Sequence, residues 1–360
     1  MPFKFVLISA IVCQVIATLL ALRLNWKYKY YSAWILFSAS ALLMGIQQTA
    51  FLVFVWDKVN GEFITLIPLW TACLSALMVS VLFLGGVALI QPLFIQIARA
   101  EAVLQKEKSA LEDVVRETED ELRIARDIQQ NLLPKTSPCM KGFDVAGASV
   151  PAEWTSGDYF DYLPLTGDRS AVVIADVSGH GTGPALLMSA IRSFLRALAH
   201  SQVDIGQILT IANRAFCNDV DFGRFVTIFM ARFDPPSGQF QFTSAGHEGF
   251  LMDHSGQVRT LRSNNPPVGA VADTVFEAQP SETMNCGDIL LLISDGIPET
   301  ESSNGDPFGM ERTLEIVRDN RKKPAAEIVA SLLDAARTHA GDYPQVDDIT
   351  AVVLKAEQTT

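Results

Sequence analysis

The chain has 360 residues and a formal net charge of −12, enough for one sizeable domain with accessory segments. The charge is uneven, since residues 1–135 carry 12 basic and 11 acidic side chains whereas residues 136–360 carry 16 and 29. An acidic C-terminal part argues against nucleic acid as a partner. Five scattered cysteines without a C-x-x-C pair argue against a disulfide framework or a zinc site and suit a reducing compartment.

In chain order, residues 5–22 and 32–56 are apolar runs without a charge, and a third extends over 63–97. A bilayer core of about 30 Å needs roughly 20 helical residues, so each qualifies as a transmembrane helix. No small-x-small cleavage site follows the first, which is therefore read as retained. The third is about 52 Å long as helix, too long for one span and too short for two with a turn. One crossing that emerges past Pro92 fits it. Arg23, Lys27 and Lys29 lie between the first two runs, and Arg99, Lys106 and Lys108 follow the third. Basic residues mark the cytoplasmic side. The expectation is an outside N-terminus, three spans in the lipid bilayer of the cell membrane, and a cytoplasmic remainder. The spans carry no charged residue for a transport pathway, so they read as an anchor with a sensing role.

Residues 98–134 are rich in helix formers. Ile97, Leu104, Leu111, Thr118, Ala125 and Leu132 recur every seven residues, while a companion row drifts between Ala100 and Val114 and between Val115 and Leu122. A steady seam with an unsteady second row predicts a weak two-helix coil over 97–122, and with it a homodimer. Residues 124–133 are expected to pack on the following domain, and Pro134 to stop the helix. The predicted organisation is a membrane segment (1–97), a helical linker (98–134) and a catalytic domain (135–357).

In that domain, Phe143–Val150 reads as an entering strand, with Asp158 in a turn after it. A short apolar strand at 170–175 delivers Asp176. Three glycines within 178–183 permit a sharp turn, and Pro184 suits the first turn of a helix whose apolar face holds Leu187, Ile191, Leu195 and Leu198. Strands are expected at 225–233, 239–243, 249–253, 288–293 and 349–354, and helices at 205–217, 311–319 and 325–339. Strands with intervening helices indicate an α+β layered domain.

Four aspartates stand beside apolar strand-like runs: Asp158, Asp176, Asp295 and Asp347. An ionised carboxylate beside a buried strand is costly unless neutralised, and no Lys or Arg adjoins any of them. Any one could be a turn former. Four together, with glycine at or near three, read as a site for a pair of hard divalent cations, whose chemistry is phosphoester hydrolysis.

The ordered motifs G-D-Y-F-D-Y (157–162), A-D-V-S-G-H-G-T-G-P-A (175–185), S-A-G-H (244–247), S-D-G-I-P-E (294–299) and D-D-I-T-A-V-V (347–353) resemble the PPM-type metal-dependent serine/threonine phosphatases. Together with A-R-D-I-Q-Q-N-L-L-P (125–134) they most resemble the bacterial SpoIIE-like branch. The resemblance implies two antiparallel sheets packed face to face, helices outside, and metals at one end. It implies that Asp158 and Asp176 hold two Mg²⁺ or Mn²⁺ ions, with the Val177 carbonyl adding a ligand and Asp295 and Asp347 completing opposite sides. Asp348 is the alternative to Asp347, and Asp161 is a further ligand or supporting group. His180 is either the acid that protonates the leaving oxygen or a turn-stabilising residue, and no counterpart is evident of the arginine that holds phosphate in eukaryotic relatives. The expected activity is hydrolysis of phosphoserine or phosphothreonine on a cytoplasmic regulatory protein such as an anti-sigma-factor antagonist. The rival readings are an inactive membrane signalling scaffold and a phosphatase of small molecules.

Overall fold

The computed structural model describes residues 66–357 apart from 168, 202–203, 220–222 and 235–237, together with scattered helical positions before residue 66. Among the described residues no helix is long and apolar enough to cross a membrane. The expected spans at 5–22 and 32–56 lie largely outside the described residues, whereas the third, expected at 63–97, falls mostly within a described helix that does not qualify as a span. The chain divides into two compact units, Met1–Arg116 and Glu117–Thr360.

In the first unit the main element is the opening stretch of α1, Leu66–Leu132, a helix that continues through Pro92. The expected linker helix is thus part of one longer helix. Leu104, Leu111, Val114 and Val115 are exposed along it.

The second unit is a sandwich. Its strands are β1 (Phe143–Val150), β2 (Asp158–Pro164), β3 (Ser170–Val177), β4 (Val226–Asp234), β5 (Gln239–Ala245), β6 (Gly249–Met252), β7 (Val258–Leu261), β8 (Glu282–Thr283), β9 (Ile289–Ile293) and β10 (Ile349–Ala356). They form two five-stranded antiparallel sheets, ordered β1-β10-β9-β6-β7 and β2-β3-β4-β5-β8. Helices α2 (Thr182–Ala199) and α3 (Ile205–Asp219) follow β3, and α4 (Met310–Asn320) and α5 (Ala325–Ala340) precede β10.

The alternation along β10 shows how the layers assemble. Val352 and Leu354 join the large core shared with Leu290, Leu292, Phe229 and Ile174. Ala351 and Val353 face the other way, into a second core closed by Val317, Ile328 and Leu332 of α4 and α5. A strand buried on both faces reads as a continuous apolar run, as this one does. Each buried Val, Leu or Ile side chain here contributes about 1.5–3 kcal/mol.

Residues 158–164 form strand β2, not the turn expected at Asp158. D-Y-F-D-Y-L-P carries two aspartates, which depress strand propensity, and both are buried. Asp161 is tolerated because α2 supplies a cation. Arg196 donates to both of its oxygens at 2.6 and 2.7 Å, Tyr159 Oη donates at 2.6 Å, and the Tyr162 amide at 2.8 Å.

The end of α1 belongs to this unit and packs on it from Gln129 onward, whereas Ile124 and Ile128, within the stretch expected to pack, are exposed. Leu133 enters the core. The buried Gln129 side chain accepts from the Ser156 amide at 2.8 Å and donates to the Ser156 carbonyl at 2.6 Å.

Candidate metal centre

The register places the first two acids side by side: Asp158 opens β2 directly across from Asp176 near the end of β3. The other two come from the opposite sheet. Asp295 follows β9, and Asp347 precedes β10, which pairs with β9. The four therefore meet at one end of the sandwich, two from each sheet.

The turn after Asp176 keeps this end open. Gly179 and Gly181 have φ of 91° and 87°, a region that costs glycine little and other residues much. Gly157 acts by size: a Cβ there would stand 3.0 Å from the Val177 carbonyl oxygen, so glycine leaves that oxygen uncovered on one side.

Asp347 and Asp348 separate cleanly. Asp348 is buried, and its oxygens accept from the Ala152 amide at 2.8 Å and the Gly157 amide at 2.7 Å. It anchors the loop entering β2. Asp347 is exposed, and its carboxylate, with those of Asp295 and Glu299, forms a cluster whose oxygens lie within 4.8 Å of one another. Of the two alternatives, the geometry favours Asp347. Glu299 was not anticipated. Its signal was present in S-D-G-I-P-E, four residues past Asp295, and a turn brings it back, the Glu299 amide donating to the Asp295 carbonyl at 2.9 Å.

The 294–299 and 347–348 loops fit through Gly296. A Cβ at this position would overlap the Asp348 carbonyl oxygen and lie 2.9 Å from its carbon.

Charge crowding marks the cluster. Burial, then Asp295, Asp347, Asp348 and Glu299, push the Asp176 carboxyl up to about 7. Burial, then Asp176, raise that of Asp158 well above its usual range. Asp295 is raised by burial and by Glu299, and Asp347 chiefly by burial. Asp158 is almost wholly buried, yet its Oδ2 has no hydrogen-bond partner among the described residues. Hard oxygen donors that repel one another, one of them an orphaned buried carboxylate oxygen, fit divalent cations such as Mg²⁺ or Mn²⁺.

Two further candidates lie outside the acid cluster itself. Asp161 projects from the opposite face of β2 to Asp158 and is spent on Arg196, so it does not join the cluster. His180 is exposed and pairs through Nδ1 with Glu153 Oε1 at 3.2 Å. It lines the cavity over the acids, of about 710 Å³, together with Asp176, Asp295, Glu299, Phe225 and Asp347. His247 is buried: its Nε2–H donates to the Ile293 carbonyl at 2.9 Å, and its Nδ1 accepts from Thr227 Oγ1 at 3.0 Å. It braces β9 against β4.

The family model described as Stage II sporulation protein E (SpoIIE) matches residues 166–357. The chain belongs to the SpoIIE family. Phosphoserine phosphatase RsbU of Bacillus subtilis (strain 168) is 30% identical over 256 residues, which span 69% of this chain and 74% of that protein. Solved structures share the fold. The SiaA-PP2C domain of Pseudomonas aeruginosa aligns with a TM-score of 0.59 at 22% identity, over 67% of this chain and 98% of its own. The RsbU and RsbW domains of Rv1364c from Mycobacterium tuberculosis align with a TM-score of 0.53 at 26% identity, over 62% of each chain. The sandwich of this SpoIIE family member is thus the PP2C-like α+β fold.

Proposed function

We propose that this SpoIIE family member is a metal-dependent protein phosphatase that hydrolyses phosphoserine or phosphothreonine on a regulatory protein such as an anti-sigma-factor antagonist. The observation that carries the reading is the convergence of Asp158, Asp176, Asp295 and Asp347, two from each sheet, at one end of the sandwich, where the last three line an open cavity and Asp158 lies buried beside Asp176. The similarity to a phosphoserine phosphatase supports the same activity. Asp158 and Asp176 would hold a pair of Mg²⁺ or Mn²⁺ ions, with the Val177 carbonyl as a backbone donor and Asp295, Glu299 and Asp347 on the far side. Bound there, the ions supply Lewis acidity and water activation at neutral pH. The chain's own work is positional. Asp348 and Gln129 fix residues 156–157, so Asp158 enters the site at a set height. Gly296 lets the loops of Asp295 and Asp347 lie in contact. His180 stands at the mouth, where a leaving serine oxygen would depart, and Glu153 orients its ring.

The reading extends to the N-terminal segment. The three apolar runs and the basic residues around them support a membrane anchor with the phosphatase in the cytoplasm. The exposed Leu104 and Leu111 support pairing of α1 with a second copy.

The deciding experiment incubates the purified protein with phosphoserine and phosphothreonine peptides, and with nucleotides, in Mn²⁺, in Mg²⁺ and after chelation. Metal-dependent phosphate release from the peptides is expected. A protein inert in both metals would be the scaffold, and release from nucleotides alone would indicate a small-molecule enzyme.

A further inference from the structure

The cavity poses an electrostatic problem for the substrate proposed above, because a phosphate dianion must approach carboxylates. A guanidinium suited to the task lies against two of its lining residues, Ser178 and Gly179. Arg224 precedes β4, and the β3–β4 ladder pairs Asp176 with Thr227 and Val177 with Val226. Two bonds continue it, the Ser178 amide donating to the Phe225 carbonyl at 3.0 Å and the Phe225 amide to Ser178 Oγ at 3.1 Å. Arg224 therefore falls opposite Gly179, three residues beyond Asp176 in the chain.

Its side chain folds back over the glycine turn. Nη1 donates to the Ser178 carbonyl at 3.3 Å and lies 3.2 Å from where a Gly179 Cβ would stand, while Nη2 lies 3.6 Å from that of Gly183. Ser178 and Gly179 line the cavity. Among the described residues no carboxylate pairs with Arg224, in contrast to Arg196, Arg232 and Arg259. A guanidinium carries five N–H donors, arranged to match phosphate oxygens, and the Ser178 contact uses one.

We propose that Arg224 binds non-bridging oxygens of the substrate phosphate at the cavity rim, offsetting the repulsion of the acids below. The inference rests on the phosphatase reading and concerns a residue that no sequence motif marked.

The test uses the full protein and its Arg224→Gln and Arg224→Lys variants at saturating Mn²⁺. Inorganic phosphate binding is followed by calorimetry, and turnover with a phosphoserine peptide. A lost charge-assisted contact predicts that Arg224→Gln weakens phosphate binding and raises KM by about tenfold. The kcat and the Mn²⁺ half-saturation should stay within about twofold, and Arg224→Lys should recover part of the phosphate affinity. Unchanged phosphate affinity in Arg224→Gln overturns the proposal. So does a raised Mn²⁺ requirement with unchanged phosphate affinity, which would make Arg224 a brace for the turn. Calorimetry needs no turnover, so Arg224 is judged even if the wild type releases no phosphate, an outcome that would instead sink the phosphatase reading.

Discussion

Gly296→Ala tests how the site is put together. The glycine does not occupy the left-handed region, so the added methyl acts by volume alone. It would overlap the Asp348 carbonyl oxygen and stand 2.9 Å from its carbon and 3.5 Å from that of Asp347. Carbon atoms rest at about 3.5–4.0 Å, so the two loops must part by about 1 Å. Overpacking of this kind costs about 1–3 kcal/mol, readable as a lower urea midpoint. The larger consequence is catalytic. Asp347 moves away from Asp295, and a displacement of about 1 Å in a catalytic constellation lowers turnover on the order of 100-fold. The assay is phosphopeptide hydrolysis across a Mn²⁺ titration, with urea unfolding on the same sample. The variant should need more Mn²⁺ and remain slow at saturation. A destabilised variant with wild-type turnover and wild-type Mn²⁺ dependence would refute the claim that this contact sets the distance between the acids.

Asp347→Asn and Asp348→Asn should part company. The first raises the Mn²⁺ requirement with stability nearly unchanged, and the second lowers stability by about 1.5–3 kcal/mol because it weakens charge-assisted bonds to buried amides; equal effects in both assays would contradict the assignment. His247 gives a pH signature. Burial lowers its folded pKa from 6.5 to about 4, so the unfolded chain binds the extra proton, and the stability is present above pH 6.5 and lost as pH falls through 4. Linkage makes this about 2 kcal/mol between pH 7.5 and 5, measured as the difference in urea stability between the wild type and His247→Gln; parallel pH curves would rule it out. Replacing Leu104 and Leu111 with glutamate should abolish self-association in analytical ultracentrifugation, and a wild type that is already monomeric would refute pairing through this seam.

The sequence made the apolar strands and the motif aspartates visible because burial on both faces leaves runs such as I-L-L-L-I and I-T-A-V-V-L. It hid β2, where Asp161 sits inside a strand only because Arg196, 35 residues away, neutralises it. It also left Asp347 and Asp348 unresolved. Which of two adjacent carboxylates turns inward is decided by the amides of Ala152 and Gly157, nearly 200 residues earlier in the chain. Glu299 escaped notice because its place beside Asp295 depends on a turn closed by one backbone bond. Arg224 carries no motif at all, and only the β3–β4 register brings it beside the cavity.

The division of the acids between the two sheets has a mechanical consequence. Within one sheet, a ladder of hydrogen bonds holds Asp158 against Asp176, whereas the separation of that pair from Asp295 and Asp347 is maintained by side-chain packing between the layers and a few bridging bonds, those of Asp348 to Gly157 and of His247 to Thr227 and Ile293. Packing resists sliding less sharply than a ladder of hydrogen bonds does. A cavity-forming change deep in the sandwich, such as Phe229→Leu or Leu292→Ala, would therefore let the layers shear. The acids would register that slippage as a change in metal affinity while the protein remained fully folded.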